Sequence, residues 1–362
     1  MDNASHGRFA ADKLVVMMVL AACAFPAGAL ATEEDPNASA EQHPVDDVAT
    51  WRVVWDNDVV LNSDNQYSNG WSLQLHGHPA ESWDKARGTP AFGKAMARWF
   101  LPDDREGLYF REGWAVGQMI QTPDDIDEED LIEDDVPYAG VLAVQNTWIA
   151  YDDRHLYGFG WLTGVIGPSA QGEEVQNWYH NLIGSDEAMG WDNQANNELL
   201  INFYYEWKRK LVGSSFGDVS TVMDARLGNL VTAGTVGMEG RLGWHVPRGF
   251  MYTPDPIGWR LSYDSQLPPR EPTNWTFYGS LAAGVTVLGH TAPYDGNLFR
   301  DSHSIDHETF IGLVAFGLHY QRWRWGIHLD LALTSDTVDP DVASSESDTT
   351  ADFGSLMFEF RH

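Results

Sequence analysis

Residues 321–333 read QRWRWGIHLDLAL. Trp323, Trp325, Ile327, Leu329, Leu331 and Leu333 share one parity, while Arg324, His328 and Asp330 take the other. An apolar row and a charged row alternating with period two describe a strand with one face in oil and one in water. The stretch NFYYEWKRKL repeats the pattern: Phe203, Tyr205, Trp207 and Leu211 oppose Asn202, Tyr204, Glu206, Lys208 and Lys210. Arg209 breaks the apolar parity near the strand end, where a long side chain can reach an interface. Parity alone does not say which face points inward, because a soluble barrel would bury the apolar row.

Composition points to the membrane. The chain of 362 residues carries 16 Trp, 13 Tyr, 16 Phe and 34 Gly, the supply that aromatic girdles and tight turns of a membrane barrel require. Outside the amino terminus, no segment approaches the ~20 apolar residues of a spanning helix, so a membrane position requires a closed barrel. Runs of alternating character recur near 50–61, 68–77, 111–121, 138–150, 153–165, 197–211, 215–227, 230–246, 273–287, 308–322, 323–334 and 351–361. The expected fold is therefore all-β: a twelve-stranded antiparallel transmembrane β-barrel with a water-filled, polar lumen. Short helices are expected around residues 92–100 and 170–184. The carboxyl end, SLMFEFRH, alternates Leu356, Phe358 and Phe360 like a terminal outer-membrane strand, although it ends on His362.

Arg8 and Lys13 precede an apolar run over residues 14–24 and then Ala29-Leu30-Ala31. This predicts a secretion signal over residues 1–31, a flexible lead-in over 32–48 and one barrel domain over 49–362. A competing reading makes Leu20-Ala21-Ala22-Cys23 a lipoprotein box with Cys23 lipidated. Cys23 is the only cysteine, so either reading leaves the mature body without a disulfide. The formal charge of −31 excludes nucleic acid as a partner, because phosphates need a counterion-releasing basic surface. Much of that charge lies in DDIDEEDLIEDD, Asp124 to Asp135, which reads as a solvated loop.

Two stretches carry chemistry. In GPSAQGEEVQNWYHNLIG, Gly167 to Gly184, Gln176 and His180 are four apart and share a helix face with Glu173 a turn earlier. Val175, Tyr179, Leu182 and Ile183 offer an apolar stripe for docking; Pro168 and Ser169 suit a helix entry and Gly184 a stop. In VVWDNDVVLNSDNQYSNGWSLQL, Asp56, Asn57 and Asp58 lie in one strand and Ser68-Asn69-Gly70 opens the next. Alternation lets either Asp56 with Asp58, or Asn57 alone, face the lumen. Hard oxygen donors of this kind suit Ca²⁺; the plain alternative is a hairpin whose Asp and Asn side chains cap backbone groups.

Taken in order, DND, YSNG, QTPDDI, VPYAG, GPSAQGEEVQNWYH and DGNLF resemble the lipid A 3-O-deacylase family of Gram-negative outer membranes over residues 50–362. The resemblance implies a twelve-stranded barrel in the cell outer membrane, with an active site between the wall and a short helix near the outer surface. It also implies Ca²⁺-dependent hydrolysis of the 3-linked acyloxyacyl chain of lipid A in lipopolysaccharide, with no protein partner and a monomeric chain. Carried over by motif, His180 is the catalytic histidine, Gln176 its companion, Asn57 and Asp58 the Asn–Asp pair that would hold the metal, and Ser68 the hydroxyl residue before Asn69-Gly70. Asp186 falls where some members are acidic. After Thr122-Pro123 the characterised branch has a lysine, where this chain reads Asp124.

No GxSxG elbow is present, so the expected scheme is a water activated by His180 and an oxyanion stabilised by the metal. A serine-dependent outer-membrane phospholipase using Ser68, or a non-catalytic porin-like barrel, are the alternatives.

Overall fold

A computed structural model describes residues 49–57, 69–102, 107–184, 186–255, 263–345 and 347–362. The signal and lead-in readings fall outside these residues, as do Asp58 and Ser68.

Twelve strands close into one antiparallel barrel. They are β1 (Thr50–Asn57), β2 (Asn69–His76), β3 (Tyr109–Gln121), β4 (Ala139–Tyr151), β5 (His155–Ile166), β6 (Glu198–Gly213), β7 (Gly217–Gly228), β8 (Val231–Trp244), β11 (Trp275–Thr291), β12 (Phe310–Arg322), β13 (Trp325–Thr334) and β14 (Phe353–Arg361). Between β8 and β11, the short β9 (Arg248–Gly249) and β10 (Gln266–Leu267) pair only with each other. The first and last strands seal the cylinder from Thr50↔Arg361 to Asn57↔Gly354. Among the described residues, three α-helices punctuate the sheet: α1 (Ala91–Phe100), α2 (Gly172–Ile183) and the single turn α3 (Ala292–Asp295).

Exposure resolves the parity question. Trp325, Ile327 and Leu329 are exposed while His328 and Asp330 are buried, and Phe203 and Tyr205 are exposed while Glu206 and Lys208 are buried. The apolar rows therefore face outward, as lipid requires. Ala49 and His362 exchange backbone hydrogen bonds at one end. The connections at that end between β4 and β5, β6 and β7, and β12 and β13 are short, whereas the opposite end carries most of the long loops. Short turns mark the periplasmic side of an outer-membrane barrel and long loops the extracellular side.

The lumen departs from the water-filled expectation. The chain between β8 and β11 enters it from the terminal end and meets charges from the wall. Asp264 binds Arg52 (3.2 Å) and Arg111 (2.6 Å), and Arg52 also binds Glu359 (2.7 Å). Lys208 binds Glu239 (2.6 Å) and donates to the carbonyl of Met251 (2.9 Å). Arg241 and Asp218 form a two-point pair. A buried charge costs several kcal/mol in lost hydration unless it is matched, and these inward charges are matched by one another. An apolar core that includes Leu156, Tyr204, Phe250 and Ile311 fills space between them.

Candidate active site

The α2 helix is built by local rules. Gly167 (φ 97°) turns the chain out of β5, residues Pro168–Ala170 form a 3₁₀ turn, and Gln171 (φ 56°) begins α2 in the left-handed region. Glu173 and Glu174 occupy the first turn, where the helix dipole favours anions, and His180 stands in the last. Gly184 (φ 77°) stops the helix by donating its N–H to the carbonyl of His180 (2.8 Å), the left-handed cap that glycine adopts without strain.

What α2 docks against decides the chemistry. On β3, Trp114 is exposed to lipid, and Gln118 and Ile120 share its parity. The Gln118 amide donates to the carbonyl of Ala170 (2.6 Å), and its oxygen accepts from the Trp71 indole (3.0 Å). Ile120 joins Tyr138, Ala188, Trp191 and the half-buried Val175 in a small apolar cluster. The backbones come close: a Cβ at Gly140 would lie 3.1 Å from the Gly172 Cα, and one at Gly172 would meet the Trp191 ring at 2.7 Å. Thus α2 stands on the outside of the wall at its extracellular end. Of the expected docking stripe, Val175 and Tyr179 serve as read, but Leu182 is 68% exposed.

The structure places the candidate residues as follows. Gln176 is 2% exposed, and its Oε1 accepts from the Trp191 indole N–H (3.0 Å). An indole only donates, so the amide orientation is fixed and the Gln176 NH₂ is left as the donor end. His180 Nδ1 lies 2.5 Å from the carbonyl oxygen of Asp186. A carbonyl only accepts, so Nδ1 carries the hydrogen and Nε2 of the neutral ring is a proton acceptor. Asp186 acts through its main chain here, not through its carboxylate.

Asn57, the last residue of β1, is 2% exposed. It shares outward parity with the exposed Trp51 and Val53, while Asp56 points inward with Arg52 and Val54. Of the two arrangements alternation allowed, a lumen-facing Asn57 does not hold, because pairing through β2 and β14 fixes it on the lipid side; Asp56 does face the lumen, and Asp58 lies outside the described residues. Trp55, on that same face, packs on Tyr179 of α2 with ring centroids 6.4 Å apart. Asn57 and the neighbouring turn of His180 are therefore on one side of the wall. Asn69, the register partner of Asn57 on β2, is also buried, and its Oδ1 has no hydrogen-bond partner among the described residues. Asn69 and Gln118 were not singled out from sequence; their parity relative to Asn57 and Trp114 was the available signal.

The acidic run is a mostly exposed loop, as its composition suggested, and is tied down at its two ends. Asp124 donates its N–H to Asp135 (3.1 Å) and accepts from the N–H of Asp348. Asp135 is buried, and burial pushes its carboxyl up. Where the characterised branch has a lysine, this chain thus has an acid tied to the β13–β14 loop. A luminal cavity of about 100 Å³, lined by Asp56, Ser72, Gln74, Gln145 and Ser355, lies on the opposite side of the wall from α2.

Closure, a lipid-facing apolar surface and a polar patch beneath an extracellular helix define a plugged outer-membrane β-barrel. A family model described as outer membrane protein LpxR matches residues 14–362, and the chain belongs to that family. Among solved structures, LpxR from Salmonella typhimurium aligns with TM-score 0.66 and 15% identity over 86% of this chain and 99% of that one. The β-domain of the Bordetella autotransporter BrkA aligns at TM-score 0.42 and 8% identity, over 88% and 99% of the two chains. No curated protein matches by sequence.

Proposed function

We propose that the protein is a lipid A 3-O-deacylase that hydrolyses the 3-linked acyloxyacyl chain of lipopolysaccharide in a Ca²⁺-dependent reaction. The observation that carries this reading is the position of the imidazole: on a helix docked to the membrane side of the wall, at the extracellular end. A lipid ester can reach that position from the outer leaflet without entering the lumen.

His180 Nε2 takes the proton of the attacking water, while the Asp186 carbonyl holds Nδ1–H and with it the tautomer. The Gln176 NH₂, fixed by Trp191, donates to the water or to the developing oxyanion, a contribution of roughly 3 kcal/mol when such a donor is well placed. This donor, rather than a lysine after Thr122-Pro123, is the stabiliser the chain itself offers.

The residues fit a hard cation in kind. Asn57 and the unpartnered Oδ1 of Asn69 offer buried amide oxygens, and Asp58, next in sequence, would add the carboxylate that Ca²⁺ sites normally include. Among the described residues, no group of three His, Cys, Asp or Glu side chains could hold a metal, so amides and Asp58 are the donor set. When bound, the cation would polarise the ester carbonyl. Ser68, which precedes Asn69 in sequence, is the hydroxyl residue that the family motif offers beside this donor set.

Mass spectrometry of lipid A incubated with the protein in detergent tests the proposal. Loss of the 3-linked chain that requires Ca²⁺ and is abolished in His180→Ala and Asp58→Ala is the expected result. Undiminished deacylation by both variants, or none by the wild type, overturns it. Full activity in Ser68→Ala separates this scheme from a serine phospholipase.

A further inference from the structure

The segment between β2 and β3, at the periplasmic end, leaves the barrel and lies against its outer wall. Ala80 bridges to Phe110 at the start of β3. Trp83, Ala86, Ala97, Leu101 and Phe110 form an apolar cluster with Trp148 of β4 and Phe159 of β5. These wall residues share parity with the lipid-facing Val144 and with Trp161. Small residues make the seat: a Cβ at Gly93 would be 3.1 Å from the Trp148 indole nitrogen, and the buried Ala97 follows one turn later. Phe100 stacks on Phe159 at 3.9 Å.

Having one face on the wall, α1 shows two others. Lys94 and Arg98 form a charged flank, both donating to Asp84, Arg98 to its carboxylate at 2.6 Å. The remaining stripe is apolar and uncovered: Phe92 is 69% and Trp99 83% exposed, with Ala95 exposed and Met96 half-buried between them. Phe92, Ala95, Met96 and Trp99 recur at helical spacing, so the stripe is continuous. It also continues an interface already in place. The wall beneath α1 is part of the lipid-facing band, and Trp148 lies about 10 Å along β4 from its periplasmic end at ~3.3 Å per residue. With barrel strands tilted by roughly 40°, that path is a depth of ~8 Å, at the boundary between headgroups and acyl chains where in-plane amphipathic helices settle.

A second feature explains why wall is covered there. Glu112 and Asn146 have outward parity yet are buried, with Asn146 donating to Glu112 (3.1 Å). Glu112 is the register partner of Trp148, whose ring touches the Gly93 seat. A polar pair facing hydrocarbon would be costly; the segment crosses the wall at its level.

We infer that α1 is an in-plane membrane helix: its Phe92–Ala95–Met96–Trp99 stripe contacts phospholipid acyl chains of the periplasmic-side leaflet beside the barrel. The occupant is lipid rather than a protein partner because the stripe is flush with a surface that lipid already covers.

The test is nitroxide accessibility in the full chain with Cys23→Ser, reconstituted in phosphatidylethanolamine–phosphatidylglycerol vesicles. A label at Ala95→Cys is expected to collide with oxygen and to lose collision with a water-soluble nickel chelate, matching a label at Leu318→Cys on the lipid-facing wall and opposite to one at Lys85→Cys. Nickel accessibility equal to that of the Lys85→Cys site overturns the inference by placing the stripe in water. Protection from both agents overturns it by showing that a second protein copy covers the stripe.

Discussion

Two regions of this molecule bury polar groups in different ways. In the lumen, Arg52, Arg111, Lys208 and Arg241 each meet a carboxylate at 3.2 Å or less, and the incoming chain supplies Asp264 and the Met251 carbonyl as further partners. Under α2, on the other side of the wall, the buried groups are neutral amides, Asn57, Asn69, Gln118 and Gln176. One of their oxygens has no partner among the described residues, and the imidazole beside them has one nitrogen committed. A matched charge network holds a shape, since breaking it leaves an uncompensated charge. A neutral polar patch carries no charge whose loss must be compensated, and the open Oδ1 of Asn69 can accept from something that arrives later. The difference separates what keeps the barrel closed from what would act on a lipid.

If that division is right, substitutions on the two sides should have opposite signatures. The largest effect is expected from His180→Ala: deacylation falls by about 10²–10⁴-fold, the contribution of a positioned general base, while the thermal unfolding midpoint stays that of the wild type. A lowered midpoint together with lost activity would erase the distinction. Lys208→Ala is the mirror case. It leaves Glu239 buried without its ion pair and should destabilise the barrel by about 3–5 kcal/mol, read from urea unfolding in detergent, with the rate per folded molecule unchanged.

Intermediate effects sharpen the boundary. Gly172→Val forces a side chain into the Trp191 ring and the wall. Overpacking of this kind costs about 1–3 kcal/mol, and here the strain falls on α2 alone, so activity should drop while the barrel melts as before. Gln176→Glu keeps an oxygen for the Trp191 indole but replaces the NH₂; a rate reduced by roughly tenfold or more would identify that donor as the working end, and an unchanged rate would assign Gln176 to packing only.

The smallest effect concerns the extracellular loop after β11, which buttresses the chain leading from α2 to β6: Asn297 and Asn196 exchange hydrogen bonds. Asp295 there binds His290 (2.9 Å) and His307 (3.5 Å). The bond to Asp295 raises His307 above its ordinary 6.5, so its contribution is complete below that value and is lost as the pH climbs through the raised one. Burial pushes Asp295 up, but the hydrogen bonds from the two imidazoles outweigh it and hold the carboxyl below its ordinary 3.8. Its contribution is present above 3.8 and is lost as the pH falls. Hydrogen exchange of residues 292–309, corrected for intrinsic rate, should therefore show greatest protection between 3.8 and 6.5 and faster opening toward alkaline pH.

Much of this was legible in the chain. All twelve alternating runs became barrel strands, the helix around Phe92 spans Ala91–Phe100, and α2 stops at Gly184 as its sequence indicated. These features depend on neighbours a few residues away: parity within a strand, spacing within a turn, a glycine in a left-handed cap. The Gln176–His180 pairing was visible for the same reason. Less visible was the state of the lumen. Alternation showed that Glu206, Lys208 and Asp330 face away from oil, but it could not show that the segment between β8 and β11 folds back among such charges.

The sequence by itself determined twelve alternating strands and one polar, histidine-bearing helix, because periodicity and capping are local properties. The tertiary structure alone decided that the apolar rows face outward and on which side of the wall the candidate site stands. Asn57 faces the lipid side through its register with Asn69 and Gly354, the latter nearly the whole chain away. The helix stands there because Gly140 and Gly172 let two backbones approach closely. Side-chain direction follows from pairing, and pairing between distant strands is settled only when the barrel closes.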